Sequence, residues 1–70
     1  MSQWRSTRAQ RVLAALQWIG WSVKRTTGSD RVLERDGWAD VVFAFHDSEE
    51  IGPRMLARLA KVTGLRPDER

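Results

Sequence analysis

The sequence predicts an α+β domain in the order helix, strand, strand, strand, helix. Apolar residues recur at helical spacing near both ends of the chain and alternate through its middle, and glycine-centred turn signals separate the segments. Seventy residues, 41% of them hydrophobic, leave room for one core and no second domain. A three-stranded antiparallel sheet with one apolar face, covered by two helices, closes a core of that size.

From Ser6 to Gly20, the residues Ala9, Val12, Leu13, Leu16 and Ile19 follow the i, i+3, i+4, i+7 spacing of one helical face. Thr7 with Gln10 three residues later fits a capping box, and Gly20 marks the stop. Trp21, Val23 and Arg25 then alternate with Ser22, Lys24 and Thr26 as a first strand, before a turn at Thr27-Gly28-Ser29. Arg31 to Arg35 is its hairpin partner, with Val32 and Glu34 on one face and Leu33 on the other, and Asp36-Gly37 closes it. Asp40 to His46 is the third strand, with Val41, Phe43 and Phe45 facing one way. A polar loop at Asp47 to Gly52 leads to Pro53, placed for a first helical position, and a second helix reaches Thr63 before Gly64. Met55, Leu56, Leu59, Val62 and Thr63 share its apolar side, and Leu65 folds back onto the core. Residues 1–70 form one domain on this reading, with Met1 to Ser6 and Pro67 to Arg70 expected to fray.

Charge narrows the function classes. The net charge is +3, but Met1 to Gly28 carries five bases and no acid, while Ser29 to Glu50 carries two bases and seven acids. Ten of the twelve bases are arginine, whose planar fork matches phosphate oxygens, so a polyanionic partner and an ordinary solvated face are both open. The absence of cysteine excludes disulfides, cysteine zinc sites and thiol catalysis, and points to a reducing cytosol. No apolar run approaches the length of a membrane span, so no membrane role is expected. The basic start before Val12 to Trp21 is not read as a leader, because Gln17 interrupts the run and no Ala-x-Ala site follows. Three strands between the helices disfavour a helix-turn-helix DNA reader.

Arg54, Arg58 and Lys61 fall at i, i+4, i+7 on the second helix, away from its apolar side, as a stripe able to track a phosphate backbone. Four tryptophans are many for this length. Trp21 reads as core, Trp18 covers a sheet edge or anchors a partner, and Trp4 and Trp38 either tuck over the core or await an interface. The single histidine, His46, ends the strongest strand beside Asp47, Glu49 and Glu50. That set is weak as a metal site, so no metal or cofactor is expected; His46 is a hydrogen-bonding residue of the strand end or a site histidine.

Gly20-Trp21, the run Thr27-Gly28-Ser29-Asp30-Arg31-Val32-Leu33, the strand Val41 to His46, and Ile51-Gly52-Pro53 through Leu56 to Gly64-Leu65 together resemble the HicA toxins of bacterial toxin-antitoxin systems, over about residues 7–66. The resemblance implies a fold similar to double-stranded-RNA-binding domains. It also implies metal-independent cleavage of mRNA in the cytoplasm and a HicB-type antitoxin that covers the active surface; DNA contact belongs to that partner. The family's active histidine follows Gly-Ser, and here Asp30 stands in its place; His46 matches a second recurrent histidine. Arg54-Met55 replaces a common Gly-Thr pair. Cleavage through the ribose 2′-OH needs a base titrating near neutrality, and the reference pKa of about 6.5 for histidine suits this where about 3.9 for aspartate does not. An RNA surface of Lys24, Arg25, Ser29, Arg31, Arg54, Arg58 and Lys61 around a reactive position 30 is therefore expected, with low activity. A non-catalytic RNA-binding or regulatory module is the alternative, and a domain docking proteins through exposed tryptophans is a third.

Overall fold

The computed structural model describes residues 4–67. The elements are β1 (Thr7–Arg8), α1 (Ala9–Trp18), β2 (Ser22–Thr27), β3 (Asp30–Glu34), β4 (Val41–Ala44), β5 (Glu50–Ile51) and α2 (Pro53–Thr63). Strands β2, β3 and β4 form an antiparallel sheet in that order, and β1 pairs antiparallel with β5 in a separate two-stranded ladder. The expected α+β architecture is present, with one addition: the small β1–β5 ladder, which sequence patterning did not predict.

That ladder corrects the expected start of α1. Thr7 is a strand residue opposite Ile51, and its hydroxyl donates to the Arg5 carbonyl at 2.8 Å, so no Thr7–Gln10 capping box forms. Two of the four N–H groups that open a helix are satisfied by a remote segment: Ala9 donates to the Glu49 carbonyl at 2.8 Å and Gln10 to the Asp47 carbonyl at 3.0 Å. Residues 47–52 are accordingly a folded turn and strand rather than a plain loop. The other end of α1 follows expectation. Gly20 adopts φ 112°, its N–H reaches the Gln17 carbonyl and that of Trp21 reaches the Leu16 carbonyl at 3.0 Å, the paired bonds of a Schellman stop.

The stop aims Trp21 into the core. Its indole N–H donates to the Thr63 carbonyl at 3.0 Å, tying the end of α1 to the end of α2. Around it lie Val12 and Leu16 of α1, Leu33, Val41 and Phe43 of the sheet, Ile51 of β5, Leu56 and Leu59 of α2, and Leu65, all buried. Phe45 packs on Phe43 edge to face at 5.0 Å, and Trp4 covers the cluster from outside it. Of the ends expected to fray, Trp4 is thus held against the core, and residues 1–3 and 68–70 lie outside the described residues. The apolar stripe of α2 is narrower than expected, because Met55 and Val62 are exposed while Leu56, Leu59 and Thr63 are buried.

Register decides which sheet residues face the helices. Leu33 pairs with Val23 and Val41, and Arg31 with Thr26 and Phe43, so these share the core side. Thr27–Asp30–Ala44 and Arg25–Val32–Val42 form the rows of the opposite side, which is open to solvent; Val42 is 62% exposed. The register slips between Val23 and Arg25, a bulge at Lys24 that breaks the expected alternation and turns Arg25 to the open side.

Gly64 has φ 74°, and a Cβ there would stand 2.9 Å from Trp38 Cη2. Trp38 in turn meets Trp21 edge to face at 6.0 Å and lies under the Arg35 guanidinium at 5.2 Å, so it tucks over the core edge. Gly64→Ala is expected to destabilise the fold by about 1–3 kcal/mol, the left-handed strain plus the clash. Urea unfolding of Gly64→Ala in the wild-type and Trp38→Ala backgrounds checks this, the cost being smaller where the indole is gone.

Candidate functional site

Asp30 opens β3 directly after the Gly28-Ser29 turn, where φ 61° at Gly28 reverses the chain in two residues. Alternation along the strand then sends neighbouring side chains to opposite sides of the sheet. Asp30 lies exposed on the open side between Thr27 and Ala44, one row from Arg25 and Val32. Arg31 turns toward the helix layer, where its Nη2 donates to Asp47 Oδ1 at 3.0 Å. Its Nη1 is buried and has no hydrogen-bond partner.

Arg31 lines a depression together with Gln10 from the first turn of α1, Gly28 and Ser29 from the hairpin turn, and Phe45, His46, Asp47 and Ser48 from the segment after β4. Its floor is fixed by backbone bonds. Glu49 N–H donates to the His46 carbonyl at 2.9 Å, and the Glu49 carboxylate accepts the His46 N–H at 3.2 Å, closing residues 46–49 into a turn. The bonds from Ala9 and Gln10 fasten that turn to α1. The structure therefore brings together three sequence-expected residues, Ser29, Arg31 and His46, and leaves Asp30 outside their pocket on the other side of the strand. Gln10, Asp47 and Ser48 were missed. Asp47 reads in sequence as one acid of a solvated cluster, and only the tertiary fold puts it against Arg31, sixteen residues away.

The other expected bases are spread over both layers. Lys24, at the bulge, is held by Asp40 at 2.9 Å, and Arg25 stands on the open side opposite Val32. Arg54 and Arg58 flank a shallow hollow with Gly52, Pro53 and Met55 at the start of α2, and Lys61 lies in the last turn of the same helix. All three are exposed, and among the described residues none has an ion-pair partner. Among the described residues, too, no group of three or more histidine, aspartate or glutamate side chains converges as a metal set. No helix in the described residues is long and apolar enough to cross a membrane. Trp18, at the last position of α1, is 84% exposed rather than folded over a sheet edge.

The family model for the HicA toxin of bacterial toxin-antitoxin systems matches residues 9–65, from the first residue of α1 to the core residue after α2. The chain belongs to the HicA toxin family. No curated protein and no solved structure gave a significant match. As a HicA-family protein it is the toxin component of a toxin-antitoxin pair. The matched span takes in all three sheet strands, the Arg31 pocket and α2, and omits only β1 among the elements.

The Lys24–Asp40 contact has a pH signature. The hydrogen bond and charge of Asp40, aided by Glu34, raise the Lys24 pKa above its ordinary 10.5. A group whose folded pKa is raised stabilises the fold fully below its unfolded value and loses that contribution as pH climbs through the folded value. Unfolding curves of wild type and Asp40→Asn should therefore differ by a small, constant amount at neutral pH and converge above about pH 10.5. Parallel urea titrations across that range check it.

Proposed function

We propose that this HicA-family chain is an RNA-binding toxin of the mRNA interferase type, one domain acting on mRNA without a metal and held in check by a HicB-type antitoxin. The family match over residues 9–65 carries the reading. Support comes from exposed arginines and a lysine on α2 without acidic partners, and from position 30 standing exposed at the mouth of a tight turn, where an RNA backbone laid over the open sheet side would pass. In such cleavage the ribose 2′-oxygen bonds to phosphorus as the bond to the 5′-oxygen breaks. A base takes the 2′-OH proton and an acid supplies one to the leaving oxygen. His46 lies in the Arg31 pocket rather than on Asp30's side of the sheet, so on this reading it supports RNA binding more than proton transfer at position 30.

Asp30 favours a second reading, a module that binds RNA and does not cut it. A carboxylate at the position of the family's histidine is a poor base near neutrality and repels the phosphate it must approach. The discriminating experiment is Asp30→His. On the interferase reading it raises cleavage of an RNA substrate by about 10² to 10⁴ and arrests growth on expression in cells. If cleavage stays undetectable while the variant is folded and binds RNA, the non-catalytic reading takes over.

The antitoxin half is checked separately. A partner that occludes a basic surface brings acidic groups to Arg54, Arg58 or Arg31, with an apolar anchor at the exposed Trp18 or the half-exposed Trp38. Co-expression with the neighbouring reading frame should yield a complex that survives purification, and Trp18→Ala or Arg58→Glu should weaken it. Failure to copurify argues for an orphan domain.

A further inference from the structure

The Arg31 guanidinium carries a buried side-chain nitrogen that has no hydrogen-bond partner among the described residues. It is an always-charged fork of five donors. One of its terminal nitrogens is buried without an acceptor, and the other meets one oxygen of Asp47, a side chain that is itself 58% exposed. A carboxylate half in water holds a guanidinium weakly. A buried donor with no acceptor is costly, so the arrangement gains from any oxyanion able to serve both nitrogens.

The surroundings fit such an oxyanion. Beside Arg31 the pocket presents the hydroxyls of Ser29 and Ser48, the Gln10 amide and the His46 ring, all able to donate to phosphate oxygens, and Asp47 as its only acid. Admitting a phosphate does not require the segment to unfold. The Asp47 backbone carbonyl is bonded to Gln10 N–H and the 46–49 turn is closed by Glu49, so the exposed Asp47 side chain and the Arg31 fork can turn without breaking those bonds. The pocket is not a bare helix terminus, since the N–H groups of Ala9 and Gln10 are already taken.

We propose that this pocket is a phosphate subsite in which Asp47 is the resident acceptor on Arg31, and that a phosphate group of the bound RNA displaces it. The RNA half of this rests on the function proposed above; the oxyanion half does not. Asp47 acts as a latch, its negative charge shielding Arg31 from weak anions and yielding to a ligand that engages the whole fork. Because Asp30 and Arg31 point to opposite sides of β3, an RNA held here crosses the sheet edge at the Gly28-Ser29 turn, which brings the next stretch of backbone to position 30.

The test uses a 2′-O-methyl RNA oligonucleotide, which binds but has no free 2′-OH for cleavage, with affinity read by fluorescence anisotropy over a range of salt. Arg31→Gln is expected to weaken binding across sequences and to lower the slope of log affinity against log salt by about one. Arg31→Lys keeps a charge and should keep the slope while losing affinity, which separates a lost phosphate contact from a misfolded variant. Asp47→Asn keeps the hydrogen bond and removes the charge, so it should tighten binding by about threefold to fivefold at low salt. Inorganic phosphate titrated against the wild-type protein should move the Arg31 Nε–H resonance saturably, and at lower concentration in Asp47→Asn.

If Asp47→Asn and Arg31→Gln leave affinity and slope unchanged while Arg58→Glu with Lys61→Glu weakens binding, the latch is overturned and the RNA reading stands. If phosphate moves the Arg31 resonance and no RNA binds at any salt, the subsite is supported and its RNA assignment, with the proposed function, is overturned. If neither ligand perturbs Arg31, the proposal fails outright.

Discussion

The backbone bonds from Ala9 and Gln10 to the carbonyls of Glu49 and Asp47 are the constraint on which the rest of this small fold depends. A helix start needs acceptors for its first N–H groups, and α1 has no side-chain cap to supply them. Taking them from a segment far along the chain does two things at once. It lets Thr7 and Arg8 continue straight from a strand into the helix, in register with Ile51 and Glu50, and it fixes the segment between the sheet and α2 against the first turn of α1. The same segment carries His46, Asp47 and Ser48, so the pocket's position follows from how α1 is capped. Trp21 closes the other end, its indole bonded to the last residue of α2.

The sheet adds a second constraint, the opposite facing of adjacent residues. Asp30 and Arg31 are neighbours in sequence and lie on opposite sides of β3, one toward solvent and one toward α1. The bulge at Lys24 works in the same direction. Without it Arg25 would share the side of Val23 and Leu33; with it, Arg25 joins Val32 and Val42 on the open side, one row from Asp30. That side thus sets a base, Arg25, one row from the acid Asp30, and the helix-facing side sets Arg31 against Asp47. The side that carries Asp30 and the side that carries Arg31 meet at the edge formed by the Gly28-Ser29 turn.

Much of this was legible in the sequence. Both helices, the three strands, the stops at Gly20 and Gly64, the burial of Trp21 and Phe43, and Leu65 folding back are local patterns, and local patterns were enough to read them. The capping box failed because Thr7 is drawn into a strand by a partner that no local window contains. A two-residue ladder carries no periodicity, so β1 and β5 had no signal of their own. Met55 and Val62 were expected among the buried residues of α2, yet only the positions aligned with Leu56, Leu59 and Thr63 reach the core, since helical spacing fixes a face but not its width. Ser29, Arg31 and His46 were named as site residues one at a time; that they share a pocket, and that Asp47 belongs with them, depends on contacts between distant segments.

The charge distribution takes on a different meaning once its partners are placed. The acid-rich middle of the chain first reads as a solvated negative face set between basic ends. In the fold four of those seven acids are set against groups of the chain itself: Asp40 holds Lys24, Asp47 holds Arg31, the Glu49 carboxylate closes the 46–49 turn, and Glu50 stands opposite Arg8 in the β1–β5 ladder. The two ion pairs cancel field locally, whereas Arg54, Arg58 and Lys61 of α2 stay exposed without an ion-pair partner among the described residues. The pairings are also unequal. Glu49 bonds a backbone N–H inside a closed turn, while Asp47, its side chain more than half exposed, bonds a side chain through one oxygen. Of the two, the Asp47 contact is the one an incoming anion can replace without disturbing the bonds that cap α1.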